Sequence, residues 1–294
     1  MLPIALKNGK IIHIKDVPSG LACGCICPAC QSPLVAKKGS RKVHHFTHYK
    51  HAECSGGLET TLHYYAKELL ASHRNIVVPP LKIRQVETPI LPARRLSFDK
   101  VVLEKAWNRT RPDLALRIAP YQWIHIELIV THATEYSKLK QLQKSKIKAL
   151  EVDLMAFQKT VDLAELRYVL LKGTGRKTWL NHPQKTELLH RIHSSSTSKK
   201  VKIRTNGKWH FYTVKQCPAQ KRKWKERGID GLYYAHVFQD CLHCKYCLGI
   251  DYYDKEDSLD FGPALPQSIQ CAGNLDFHDF HQLQKSLKDV NCNF

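Results

Sequence analysis

Trp123-Ile124-His125-Ile126-Glu127-Leu128-Ile129-Val130 is the stretch on which the fold turns. It is nearly all apolar apart from Glu127, too short for a long helix, and rich in β-branched residues. That pattern predicts a central strand buried on both faces. A carboxylate inside such a strand needs a partner, because an unpaired buried charge costs several kcal/mol. The partner is either a metal ion or a buried Lys or Arg.

The surroundings decide what that carboxylate belongs to. Upstream, Phe98 to Glu104 and Arg111-Pro112-Asp113-Leu114-Ala115-Leu116-Arg117-Ile118 read as further strands. Before them, Glu59 to Leu70 reads as an amphipathic helix with Leu62, Ala66, Leu69 and Leu70 on its apolar side. Glu59, His63 and Lys67 are spaced by four and share one face, which on helix evidence alone is a solvated polar stripe. Downstream, Ala133 to Leu150 reads as a basic helix carrying Lys138, Lys140, Lys144, Lys146 and Lys148, followed by a short strand, Val152-Asp153-Leu154-Met155. A helix with Glu, a strand with Pro-Asp, a strand with Glu and then a helix suit a metal-dependent phosphodiesterase. Carboxylates from several elements can hold Mg2+ (or Mn2+), which polarises the phosphate and activates a water. A nearby lysine would offset the charge of the pentacovalent state.

The whole chain fits that chemistry. Its 294 residues allow about two domains. Lys and Arg number 46 against 26 Asp and Glu, a net charge of +20, which points to a polyanion such as nucleic acid. The excess is uneven. Residues 172–227 hold 16 basic side chains against two acids, interrupted by Trp179, Trp209, Phe211, Tyr212 and Trp224, whereas residues 228–294 carry a net −6. No apolar run approaches the ~20 residues of a spanning helix. Met1 to Lys7 lacks the basic and apolar regions of a signal peptide, so a cytoplasmic chain with no membrane contact is expected.

Eleven cysteines form two clusters with none between Cys54 and Cys217. Cys27-Pro28-Ala29-Cys30 has the spacing of a zinc knuckle. Pro33 to Phe46 reads as a strand, a turn at Gly39 and a return strand that would bring His48 and Cys54 back beside it. The expected ligands are Cys27, Cys30, His48 and Cys54, with Cys23 and Cys25 as competing donors. His44, His45 and His51 read as surface or core histidines. In the second cluster the expected ligands are Cys217, Cys241, Cys244 and Cys271. Cys247 is an alternative to Cys241, since Cys244 and Cys247 have the same spacing, and an iron–sulfur cluster is a rival occupant. Cys292 reads as a free thiol. Val201 to Val214 around Asn206-Gly207 is a hairpin with a predicted I′ turn. This hairpin and Lys221-Arg222-Lys223-Trp224-Lys225 would favour nucleic acid, while Asp251 to Asp260 would not. His193-Ser194-Ser195-Ser196-Thr197-Ser198 reads as a linker. The expected division is an N-terminal zinc-finger module at 1–57, a nuclease domain at 58–192, and a basic hairpin with a zinc-ribbon-like module at 199–294.

Over about residues 1–155, an ordered set of motifs resembles the competence protein CoiA-like family. The set comprises Cys27-Pro28-Ala29-Cys30, Ala36-Lys37-Lys38-Gly39, His45-Phe46-Thr47-His48, Glu59-Thr60-Thr61-Leu62-His63, Arg111-Pro112-Asp113 and Ile126-Glu127. The resemblance implies an α/β, restriction-endonuclease-like PD-(D/E)xK core, a mixed central sheet flanked by helices. It implies Glu59, Asp113 and Glu127 as the metal-binding carboxylates, completed by the Leu128 carbonyl. It also implies a bacterial setting and action on incoming, foreign or mobile DNA. The chain departs from the motif at Ile129, where a lysine should stand. Either the next helix supplies the charge, from Lys138 or Lys140, or His132 does, or catalysis is lost and binding remains. The expectation is therefore a magnesium-dependent DNA endonuclease with two structural zinc ions, acting alone, as a second copy of itself, or with a protein such as an ATPase or helicase. A catalytically inactive recruitment module and an RNA-directed factor are the rivals.

Overall fold

A computed structural model describes residues 3–51, 54, 57–106, 111–131, 134–158, 161–224, 233–253, 265–275 and 278–291. The chain is mixed α/β and divides into two compact units. One comprises Met1–Pro80 with Pro92–Pro183; the other comprises Leu81–Leu91 with Gln184–Phe294.

The first unit opens with strands β1 (Ile4–Lys7), β2 (Lys10–His13), β3 (Gly20–Ile26), β4 (Pro33–Lys37) and β5 (His45–His48), in sheet order β2-β1-β3-β4-β5. The predicted hairpin about Gly39 is the β4–β5 pair, with Leu34 opposite His48 and Lys37 opposite His45. Helix α1 (Gly57–His73) follows, then the two-stranded pair β6 (Asn75–Val78) and β7 (Arg94–Ser97). Next come β8 (Lys100–Leu103), β9 (Leu114–Ala119), β10 (Gln122–Ile129), α2 (Tyr136–Lys144), β11 (Lys148–Asp153), α3 (Leu163–Leu171) and β12 (Lys177–Asn181). Their sheet runs β12-β11-β10-β9-β8, with β10 and β11 parallel and the other pairs antiparallel. The strand that opened the sequence reading is thus the middle one, buried from Ile124 to Ile129. Leu62, Ala66 and Leu70 of α1 share one core with Leu116, Ile124, Ile126 and Leu150 of the sheet. Asp162 caps α3, accepting from the Ala164 and Glu165 amides at 2.8 and 3.3 Å.

Two expectations shift here. The basic helix is shorter than its lysine spacing suggested. It ends at Lys144, where the Ser145 hydroxyl donates to the Leu142 carbonyl at 2.7 Å. Residues 148–153, whose Ala149, Leu150 and Val152 are buried, extend as β11 instead.

In the second unit, α4 (Pro183–Ser194) leads into β13 (Thr197–Lys200). The polar run at 193–198 is therefore the last turn of a helix and the start of a strand. The Ser194 and Ser196 hydroxyls close onto the His190 and His193 carbonyls at 3.0 and 2.6 Å. Then come β14 (Lys202–Asn206), β15 (Trp209–Lys215), β16 (Arg222–Lys223), β17 (Tyr233–His236), β18 (Cys247–Tyr252), β19 (Pro266–Cys271) and α5 (Phe280–Asn291). They form two sheets, β13-β19-β18 and β14-β15-β17-β16. The β14–β15 hairpin forms, but Asn206 still pairs with Trp209. The turn is Gly207-Lys208, with φ of 59° at Gly207. Positive φ at the first central residue, held by Gly, is the II′ pattern and not the I′ pattern that Asn206-Gly207 suggested.

Candidate metal centre and carboxylate site

The N-terminal centre grows from a tight turn after β3. The Gln31 amide donates to the Cys27 carbonyl and the Cys27 amide to the Ser32 carbonyl, both at 2.9 Å, with Gln31 in the left-handed region at φ 59°. That turn aims Cys27 and Cys30 the same way. β5 returns along β4 and delivers His48, and the chain beyond delivers Cys54. Cys27 Sγ lies 3.9 Å from Cys54 Sγ, and Cys30 Sγ lies 3.3 Å from His48 Nε2. All four ligand atoms fall within 4.8 Å of one another, the one such group of three or more among the described residues. A Cys3His set at this spacing suits tetrahedral zinc, so these four could hold a metal ion. The Ser32 side chain draws the Cys30 thiol down to about 6. Burial and the neighbouring Cys30 and Cys27 push Cys54 up to about 12. Crowded thiolates repel one another, and a bound dication relieves that repulsion. Cys23 and Cys25 take no part: two apart on β3, both turn into the module core beside Leu34 and Phe46.

The carboxylate site lies in the same unit. α1 presents Glu59, His63 and Lys67 along one side, as their spacing predicted, and the stripe is engaged. The Thr131 hydroxyl donates to Glu59 Oε2 at 3.0 Å, His63 Nδ1 lies 3.4 Å from Asp113 Oδ1, and Lys67 pairs with Glu104. Asp113, just before β9, accepts the Leu128 amide on Oδ2 at 2.8 Å. Asp113 thereby ties β9 to the residue after Glu127, and the Leu128 amide serves this contact. Burial raises the Asp113 pKa, but His63 and the Leu128 amide outweigh it and hold the carboxyl below its usual range. Glu127 is 5% exposed and burial pushes it up to about 7, against the pull of Lys138. Lys138 Nζ sits 2.6 Å from Glu127 Oε2 and 3.2 Å from the Arg111 carbonyl. Glu127 Oε1 and His63 Nε2 are buried and have no hydrogen-bond partner among the described residues.

Thus Glu59, Asp113, Glu127 and Lys138 stand on α1, at the foot of β9, on β10 and on α2 respectively. Among the described residues these carboxylates do not form a metal-donor group like the cysteine centre. Ile129 is buried. Lys140 turns to the Tyr136 ring, 4.7 Å from its centroid. His132 lies outside the described residues. Glu151, which no motif marks, pairs with Glu127 across the parallel β10–β11 register and accepts from Thr134 at 2.8 Å. Apolar alternation from Lys148 would have exposed it. Helix spacing alone places His63 on a solvated stripe, because it carries no information about Asp113.

In the second unit, Cys217, Cys241, Cys244, Cys247 and Cys271 line one cavity. Cys247 faces Cys271 across β18 and β19. Successive turns join Cys241, Cys244 and Cys247, each amide donating to the preceding cysteine carbonyl at 3.0 and 3.1 Å. Arg84 straps the loop by donating to the Leu242 and Cys244 carbonyls at 3.1 Å. Burial, then the surrounding thiols, push Cys241 up to about 12. All five cysteines line this cavity, but they are not gathered into a metal-donor group as the N-terminal four are. Cys292 lies outside the described residues.

Residues 22–57 match the family described as competence protein CoiA, N-terminal domain. The matched segment holds the whole Cys27-Cys30-His48-Cys54 centre, so the CoiA-like resemblance is supported over the module that carries it. No curated protein and no solved structure matches the chain. No helix among the described residues is long and apolar enough to cross a membrane.

Proposed function

We propose that this chain is a magnesium- or manganese-dependent DNA endonuclease with a restriction-endonuclease-like core, acting on incoming, foreign or mobile DNA. Its N-terminal centre and its C-terminal thiol cavity would each hold a structural zinc. The observation that carries the reading is Glu127. It is a buried carboxylate near the C-terminal end of the central strand, within the field of Asp113, with Oε1 left unpartnered. Such an acceptor costs free energy unless a cation meets it.

Glu59, Asp113 and Glu127 would hold the ion, which when bound supplies phosphate polarisation and a more acidic water. Around it, Thr131 orients Glu59, and His63 with the Leu128 amide orients Asp113. Lys138 reaches Glu127 from α2, so it can provide the charge that Ile129 cannot. A net charge of +20 would gather the polyanionic substrate. DNA is preferred to RNA through the CoiA-like resemblance, and an ATPase, a helicase or a second copy are the partners that reading admits.

One observation favours a second reading. Lys138 already occupies Glu127 Oε2, and a lysine that neutralises the site permanently would leave a binding module without catalysis. Plasmid cleavage decides between them. Wild type should nick or cut with magnesium or manganese, and Asp113→Ala and Glu127→Ala should not. Silence of the wild type under every divalent metal, alone and with its partner, leaves only the binding module.

A further inference from the structure

The β14-β15-β17-β16 sheet sorts its side chains by chemistry. Across it, Arg204 pairs with Phe211, Asn206 with Trp209, Lys215 with Tyr234, and Tyr234 with Arg222. Paired residues share a face, and alternate residues along a strand return to it. One face thus collects Lys202, Arg204, Lys215 and Arg222 with most of the rings, while Lys223 pairs with Tyr233 on the other. The other presents Tyr212, Val214, Tyr233 and Ala235 to the apolar cluster that includes the cysteines.

Ring contacts fix the same assignment independently. Trp224 stacks on Tyr234 at 4.1 Å and 24°, and the Arg204 guanidinium lies 4.3 Å from the Trp224 ring. Phe211 meets His236 edge-on at 5.9 Å. Asp240 holds Arg222 in place at 2.6 and 3.2 Å. Beyond this rigid stack, Trp209 is 74% exposed and Phe211 41% exposed. No strand position on this face carries a carboxylate, and Lys202, Arg204 and Lys215 all lie on it.

We propose that this face is a binding platform for single-stranded DNA. Exposed rings fixed beside cations offer stacking to bases and charge to phosphates, the combination that single-strand binders use. A duplex hides its base faces, so the rings select the unpaired strand. The choice of DNA over RNA rests on the nuclease reading; the platform itself does not.

Binding of the full chain is measured by fluorescence anisotropy without magnesium, which separates binding from cleavage. The probes are a labelled oligothymidylate of about 12 nucleotides, the matching oligouridylate, and a duplex of equal length. Oligothymidylate should bind more tightly than the duplex and quench tryptophan emission. The paired change Trp209→Ala with Phe211→Ala should weaken it by about 5-fold or more, one stacked base being worth at least that. Trp209→Phe should recover most of the loss. Both residues are exposed, and unchanged circular dichroism and zinc content would show that the fold persists. Wild-type affinity in the double variant, or duplex binding at least as tight as single-strand binding, would overturn the platform. Tighter binding of oligouridylate would overturn the DNA assignment. A chain that binds oligothymidylate yet never cleaves would sink the nuclease reading and leave the platform standing.

Discussion

Removing the Lys138 ammonium tests the buried pair at the centre of the carboxylate site. In the wild type Glu127 has a pKa of about 7, raised by burial and held from rising further by Lys138. Its unfolded value is near 4.5. A raised folded pKa means that its contribution to stability is fully present below about pH 4.5 and is lost as pH climbs to 7. Above pH 7 the folded carboxylate ionises against Lys138 and the loss stops. In Lys138→Met the carboxyl keeps Asp113 and Glu151 as like-charged neighbours and loses its one cation. It therefore stays protonated well above pH 7, and stability goes on falling at about 1.4 kcal/mol per pH unit. At pH 6 both proteins carry a neutral Glu127, and the variant lacks the hydrogen bonds of Lys138 to Glu127 and to the exposed Arg111 carbonyl, about 1 kcal/mol in all. At pH 9, two units higher than the wild-type pKa, the gap widens by about 3 kcal/mol to a total of about 4. That total agrees with the ~3–5 kcal/mol typical of a buried pair broken on one side. Urea unfolding of both proteins at pH 6 and pH 9, without added magnesium, reads the gap directly, and other titrating groups cancel in the comparison. A gap equal at the two pH values would refute the account of Glu127 as a buried acid governed by Lys138.

Further outcomes are expected at other sites. Lys177 is buried, donates to the Val77 carbonyl at 2.8 Å, and is pushed down to about 7 by burial. A lowered folded pKa costs stability as pH falls from about 10.5 to 7, so Lys177→Met should gain on the wild type by about 1.4 kcal/mol per unit over that window; a flat difference in urea unfolding would contradict this. Elemental analysis should find about two zinc per chain, falling by one in Cys30→Ser and unchanged in Cys23→Ala with Cys25→Ala. Zinc lost from the second variant would return those thiols to the ligand set. Asp162→Ala should lower stability by about 1 kcal/mol through the α3 cap, and an unchanged melting temperature would show the cap to be idle.

The sequence by itself determined whatever depends on neighbours along the chain. The nearly continuous apolar run placed β10, the four-residue spacing placed α1, and Cys-x-x-Cys placed the knuckle. Each is set by local periodicity and turn geometry, which few residues suffice to specify. Where two local patterns compete, packing decides: the lysines suggest helix to Leu150, and burial of Ala149, Leu150 and Val152 makes β11. The hairpin turn moved by one residue because the Asn206–Trp209 pair extended the ladder. Only the tertiary structure decided which groups meet. It turned Cys23 and Cys25 into the module core, leaving the expected Cys27, Cys30, His48 and Cys54 as the ligand set. It set Glu151 beside Glu127 and Lys138 upon it. It also sorted rings and cations onto one sheet face, because side chains distant in sequence become neighbours only through strand register and helix packing.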